Sequence, residues 1–89
     1  MRCVISVLGK DRSGIVAAVA TVLAQCNANI DDISQTLLGD IFSMTMLVTL
    51  DLETAGFNEV QVRLAAISDQ LGMQITLQRQ DVFDFMYKI

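Results

Sequence analysis

Short apolar runs alternate along this chain with stretches of helical periodicity. "RCVISVL", residues 2–8, is rich in β-branched residues and apolar at both parities, as expected of a central strand covered on both faces. Beyond Gly9, Ile15, Val19, Val22 and Cys26 recur at spacings of four and three, which predicts a helix from Gly14 onward with one apolar face. "NIDDISQTLL", residues 29–38, reads as a second strand. Ile30 and Ile33 have opposite parity within it, so a bulge or late strand start is expected near Asp31 and Asp32. Gly39 and Asp40 mark a turn, after which Phe42, Met44, Met46, Val48 and Leu50 alternate with Ser43, Thr45, Leu47 and Thr49 in a third strand. Phe57, Val60, Leu64, Ile67 and Leu71 define a second helix, and Gly72 stands where a left-handed cap would end it. Residues 74–80 supply a fourth strand with Ile75 and Leu77 inward.

The order β, α, β, β, α, β folds with right-handed crossovers into an α+β, ferredoxin-like sandwich. Residues 1–80 are expected to form a four-stranded antiparallel sheet of order 4-1-3-2 with both helices on one face. Residues 81–89, "DVFDFMYKI", exceed that plan. Val82, Phe85, Met86 and Ile89 fall at i, i+3, i+4 and i+7, Asp81 is a candidate cap, and Lys88 lies where a helix dipole favours a cation, so a short C-terminal helix is predicted. Such a helix is marginal alone. Its apolar side chains need a surface, and the sheet face opposite the long helices offers one, in this subunit or in a partner. Val4, Leu8, Leu38 and Leu47 belong to that face and, with an unpaired sheet edge, point to a homodimer.

Composition narrows the function. At 89 residues the chain is one domain. It is 53% hydrophobic, yet no stretch approaches the roughly 18 apolar residues of a membrane span and no signal sequence opens it, so a cytoplasmic protein without membrane contact is expected. The net charge of -4 and the scatter of the six cations, Arg2, Lys10, Arg12, Arg63, Arg79 and Lys88, argue against nucleic acid. The central strands also lack the aromatics on which RNA-recognition versions of this fold stack bases. Cys3 and Cys26 sit inside apolar patterns and read as buried structural thiols. Without histidine, without C-x-x-C and without an arginine cradle of acylphosphatase type, no metal, no cofactor and no enzymatic activity are expected.

The chemistry that does stand out is "GKDRSG", residues 9–14, between the first strand and the first helix. Together with "IVAAVATVLAQCNANIDDIS" it resembles an ACT domain, whose marks are a D-R-x-G turn followed by a hydrophobic pair, a helix, and an N-I-x-x-I segment opening the second strand. Asp11, Arg12, Gly14, Ile15, Val16, Asn29, Ile30 and Ile33 match that pattern. Ser13 stands where the family often has proline, and it could cap the helix that proline would only begin. The turn is similar to that of glycine cleavage system repressors and formyltetrahydrofolate deformylases, and the tail resembles small stand-alone prokaryotic ACT proteins.

This resemblance implies a regulatory domain that senses a small ligand, usually an amino acid, between the first turn of one subunit and the second strand of a neighbour. With no catalytic domain in the chain, its output would be another protein or its own assembly. The residues themselves agree. Amides after Gly14, with Lys10 and Arg12 beside them, suit a carboxylate, and Asp11 or Asp31 or Asp32 with Asn29 suits an ammonium group. The candidate ligand set is therefore Lys10, Asp11, Arg12, Ser13, Gly14, Ile15, Asn29, Ile30 and Asp31. Each also has a structural reading: Asp11 as a helix cap, Arg12 as a carboxylate's partner, Gly14 as a turn residue, Asn29 as a cap on the second strand. A ligand-free dimeric module acting on a partner enzyme or transcription regulator is the alternative function.

Overall fold

A computed structural model describes residues 1–86 of the chain. The elements are β1 (Arg2–Lys10), α1 (Ile15–Gln25), β2 (Asn29–Leu38), β3 (Ile41–Thr49), α2 (Phe57–Leu71), β4 (Gln74–Arg79) and α3 (Gln80–Met86). The sheet is antiparallel throughout, with order β2-β3-β1-β4, the expected ferredoxin-like arrangement. Two boundaries differ from expectation: β1 continues through Lys10 because its pairing with β3 extends to Ile41, and Gln80 opens α3 instead of closing β4.

The core lies between one parity of the central strands and the two long helices. Cys3, Ile5 and Val7 from β1 meet Phe42, Met44, Met46 and Val48 from β3, beneath Ile15, Val19, Val22 and Leu23 of α1 and Val60 and Leu64 of α2. Because opposed residues share a face, a one-residue slip would turn this set out to solvent, and burial thereby locks the register. The bulge expected in β2 falls at Asp31, between the pairs Ile30↔Val48 and Asp32↔Leu47, and it sets Ile30 and Ile33 both on the helix side. β2 nevertheless stays exposed along its whole length, because no further strand covers its outer edge. Gly72 ends α2 at φ 66°, as its position predicted.

The tail is helical and only partly covered. α3 packs against β1 and β4, but none of its residues is buried, and Phe85 is 84% exposed. Phe83 is its half-buried aromatic. The stripe read from sequence thus remains largely uncovered within this subunit, and its last member, Ile89, lies with Lys88 outside the described residues. No helix among the described residues is long and apolar enough to cross a membrane.

One carboxylate organises the α1–β2 and β3–α2 connections at the same end of the sheet. Asp51 accepts hydrogen bonds from Asn27 Nδ2 at 2.8 Å, Thr54 Oγ1 at 2.8 Å and the Glu53 amide at 3.1 Å. The Asn27 side chain contributes most to holding the Asp51 carboxyl below its ordinary value of 3.8. A carboxyl depressed in the folded state stabilises the fold above its ordinary value, and that contribution disappears as pH falls through the folded value. The urea midpoint should therefore decline as pH falls below about 4, and Asp51→Asn should lessen that decline. An Asp51→Asn profile identical to wild type in acid would exclude this linkage.

Candidate functional site

The turn between β1 and α1 is built by backbone geometry and three anchors. Gly14 is the N-cap of α1 with φ 87° and ψ 2°, a left-handed conformation, and its carbonyl accepts the Ala18 amide at 3.0 Å. No side chain caps this helix, which corrects the expectation that Ser13 would do so: the cap position belongs to Gly14 itself. A Cβ at Gly14 would meet nothing within 4 Å, so glycine serves the dihedral angle here and does not relieve crowding.

The first anchor is the Asp11 amide, which donates to the Asp40 carbonyl at 2.7 Å and ties the turn to the β2–β3 hairpin. Arg12 supplies the second. Its Nη1 donates to the carbonyls of Gln70 and Leu71 at 3.4 and 3.5 Å, at the C-terminal end of α2, where that helix has no basic residue of its own. Gly9 is the third. A Cβ there would stand 2.6 Å from Met73 Sδ and 3.3 Å from the Gly72 carbonyl oxygen, so glycine lets β1 lie against the α2–β4 connection. The guanidinium read from sequence as a ligand group is thus engaged on α2, while Lys10 has no ion-pair partner among the described residues.

The second half of the candidate set is elsewhere. Asn29 pairs with Thr49, and Thr49 with Arg2, whereas Lys10 pairs with Ile41, and Ile41 with Leu38. Arg2 and Lys10 are opposite ends of β1, separated by roughly 26 Å at a strand's rise of about 3.3 Å per residue. Within one chain the structure therefore brings Lys10, Asp11, Arg12, Ser13, Gly14 and Ile15 together and leaves Asn29, Ile30 and Asp31 at the far end of the sheet. The crossover through α1 makes β2 run parallel to β1, so the two strands start at the same end.

At that far end Asp31 is heavily engaged. Asn29 Nδ2 donates to its Oδ1 at 2.6 Å, Thr49 Oγ1 donates to its Oδ2 at 2.6 Å, and Arg2 Nε lies 3.6 Å away. These bonds, that of Thr49 foremost, hold the Asp31 carboxyl below the usual carboxylate range. A nearby hollow lined by Met1, Arg2, Leu52, Arg79, Gln80 and Asp81 has both arginines paired, Arg2 with Asp31 and Arg79 with Asp81 at 2.9 Å.

The last residues of β2 are the ones beside the turn. Asp11, Gln35, Thr36, Leu37 and Phe42 line a hollow of about 270 Å³, and on the other face Leu8, Gly9, Lys10, Asp40 and Ile41 line one of about 530 Å³. Gln35 and Thr36 lie outside the candidate ligand set, although the parallel course of β1 and β2 is enough to point to them. Cys3 and Cys26 are free and buried, and burial pushes the Cys3 thiol up, away from the reactive thiolate. No cluster of metal-ligating side chains occurs among the described residues.

Fold and turn together define an ACT domain, a class that is in general regulatory and ligand-binding. The ACT-domain family model matches residues 2–78, and the chain belongs to that family. Within it, the chain is 43% identical over 88 residues to a UPF0237 protein of Methanocaldococcus jannaschii, covering 99% of this chain and 98% of that one. Among solved structures, an ACT domain protein from Streptococcus pneumoniae superposes with a TM-score of 0.80 at 39% identity, covering 94% of each chain. A protein assigned as a glycine cleavage system transcriptional repressor superposes with a TM-score of 0.79 at 25% identity, over 89% of this chain and 45% of that one.

Arg12 and Gly14 have stability roles that unfolding measures directly. Gly14→Ala should cost about 1–2 kcal/mol through the left-handed backbone, and Gly14→Asn less, since asparagine visits that region more readily. Arg12→Ala should cost about 0.3–1 kcal/mol by removing the cation from the end of α2. Urea titration checks both, and a Gly14→Ala chain as stable as wild type would contradict the left-handed turn.

Proposed function

We propose that this chain is a non-catalytic regulatory module of the cytoplasm that binds an amino acid or a related small carboxylate at its first turn, at an interface between two copies. The observation that carries this reading is the turn itself. It is clamped from three sides, its helix begins on a glycine without a side-chain cap, and an unpaired lysine stands beside it. Amides from Gly14 and Ile15 onward, with Lys10, receive the carboxylate. Asp11 faces the ammonium group, with Ser13, Gln35 and Thr36 available to orient the ligand, and Arg12 contributes its charge from the end of α2.

The exposed edge of β2 supplies the second copy. Two such edges paired antiparallel across a two-fold axis would set Asn29, Ile30 and Asp31 of one copy beside the Leu38 end of the other, next to its turn. The homodimer is thus part of the reading, because the site is incomplete without it. One observation favours a ligand-free interaction module instead: Arg12 is spent on α2, and Asn29 and Asp31 are spent on each other. In either case the output is a partner protein or a change of assembly.

Calorimetric titration of the full chain with the twenty amino acids and simple keto acids separates the two. Binding tighter than about 1 mM, or about -4 kcal/mol, is expected for at least one of them. Lys10→Ala should weaken that binding more at low salt than at high salt, since an exposed charge is screened. Absence of binding throughout the set would leave the ligand-free module.

A further inference from the structure

The face of the sheet away from α1 and α2 is covered at one end only. α3 folds back from β4 onto β4 and β1, and Gln78 Nε2 on β4 donates to Met86 Sδ at 3.6 Å. Val4 is 6% exposed on this face although it lies outside the core between sheet and long helices, so α3 is what covers it. The other end is bare. Leu8 is 48%, Ile41 49% and Leu38 77% exposed, around the hollow of about 530 Å³ that Leu8, Gly9, Lys10, Asp40 and Ile41 line.

α3 itself is apolar on more than its sheet side. Phe83 is half-buried, yet Phe85 is 84% exposed, and Val82 and Met86 also stay exposed. A helix resting on one surface needs one apolar stripe. A short helix with an aromatic on the side turned to solvent is built to lie between two surfaces.

We propose that a second copy of this chain docks on this open face, so that each sheet is covered at one end by its own α3 and at the other by the α3 of the second copy. A two-fold axis lying between the sheets, perpendicular to the strands at mid-height, exchanges the covered end with the bare one. Phe85 of each copy then enters the hollow between Leu8 and Ile41 of the other, and the two α3 helices lie side by side as a middle layer. The surface is self-complementary, as a two-fold contact requires.

Charge and area support a copy of this chain as the occupant. Lys10 at the rim of the hollow and Asp84 on α3 have no ion-pair partner among the described residues, and this docking sets them near one another with opposite sign. Strands of six to ten residues with a rise of about 3.3 Å, four abreast at about 4.8 Å, give a face of roughly 20–33 Å by 19 Å before side-chain relief. With α3 adding its own two-sided surface, that approaches the about 800 Å² per partner of a stable interface. The contact uses neither edge of the sheet, so it stands independently of the pairing through β2.

Cross-linking between unlike copies tests the docking. Full chains carrying Phe85→Cys are mixed with full chains carrying Leu8→Cys and treated with a short bismaleimide, with wild type as control because Cys3 and Cys26 are buried. A covalent pair joining position 85 of one copy to position 8 of the other is expected. In sedimentation, Phe85→Glu should lower the association constant roughly tenfold or more. Lys10→Asp and Asp84→Lys should each weaken association, and the double variant should recover it. No link between positions 85 and 8, or a Phe85→Glu chain that associates as wild type does, would overturn the proposal.

Discussion

Burial of one parity of β1 and β3 under the two long helices is the constraint on which the rest of this structure depends. Cys3, Ile5 and Val7 and their neighbours Met44, Met46 and Val48 are essentially without solvent contact. Their burial fixes the register, and the register fixes three further things. It puts Val4, Leu8 and Leu47 on the opposite face, it sets Lys10 against Ile41 where the first turn begins, and it sends Arg2 to the end where β2 starts. A domain this small has little core to spare. Of the apolar groups that the register turns outward, Val4 is covered and Leu8 and Ile41 stay exposed.

The first turn, the proposed binding element, is held without a core of its own. Its residues are exposed, yet the backbone is fixed by the left-handed Gly14, by the Asp11 amide on the hairpin, by Arg12 on α2 and by the approach of Gly9 to Met73. These contacts come from three different elements. Movement of α2 or of the β2–β3 hairpin therefore reaches the turn directly. Occupation of the turn by the proposed ligand would act on both in return, since coupling between two sites is reciprocal. Rigid support of an exposed loop would suit the proposed sensing role, because a preorganised loop loses little entropy on binding.

Much of this was legible in the sequence, because periodicity and glycine placement carry it. The alternation of Phe42, Met44, Met46 and Val48 marks a half-buried strand, the clash of parity between Ile30 and Ile33 demands the bulge found at Asp31, and Gly72 occupies the left-handed cap for which only glycine is comfortable. The contacts that the candidate site residues make within the chain were less legible, for two physical reasons. Arg12 is charged and beside a turn, but its partners are carbonyls 58 and 59 residues away, a contact that no local pattern encodes. Asn29 and Asp31, which the resemblance assigns to a neighbour's second strand, start β2 at the end of the sheet away from their own turn, and the bond from Thr49 to Asp31 depends on the β2–β3 register and not on a local pattern. In α3, helical spacing identified the helix but not which side would meet the sheet: Phe83, off the predicted stripe, is half-buried, and Phe85, on it, is not.

Lys10 is where the two proposed contacts meet. It closes β1 on the open face, lines the hollow offered to Phe85, and stands beside the helix terminus offered to a carboxylate. A carboxylate bound at the turn would compete with Asp84 of a docked copy for the same cation. Ligand binding would then weaken docking on the open face, while pairing through β2, which supplies the ligand with Asn29 and Asp31 of the neighbour, would be strengthened by the same event. By linkage the two proposed assemblies would respond in opposite directions to one small molecule. On this reading one lysine would be enough to convert the presence of a small molecule into a change of quaternary structure.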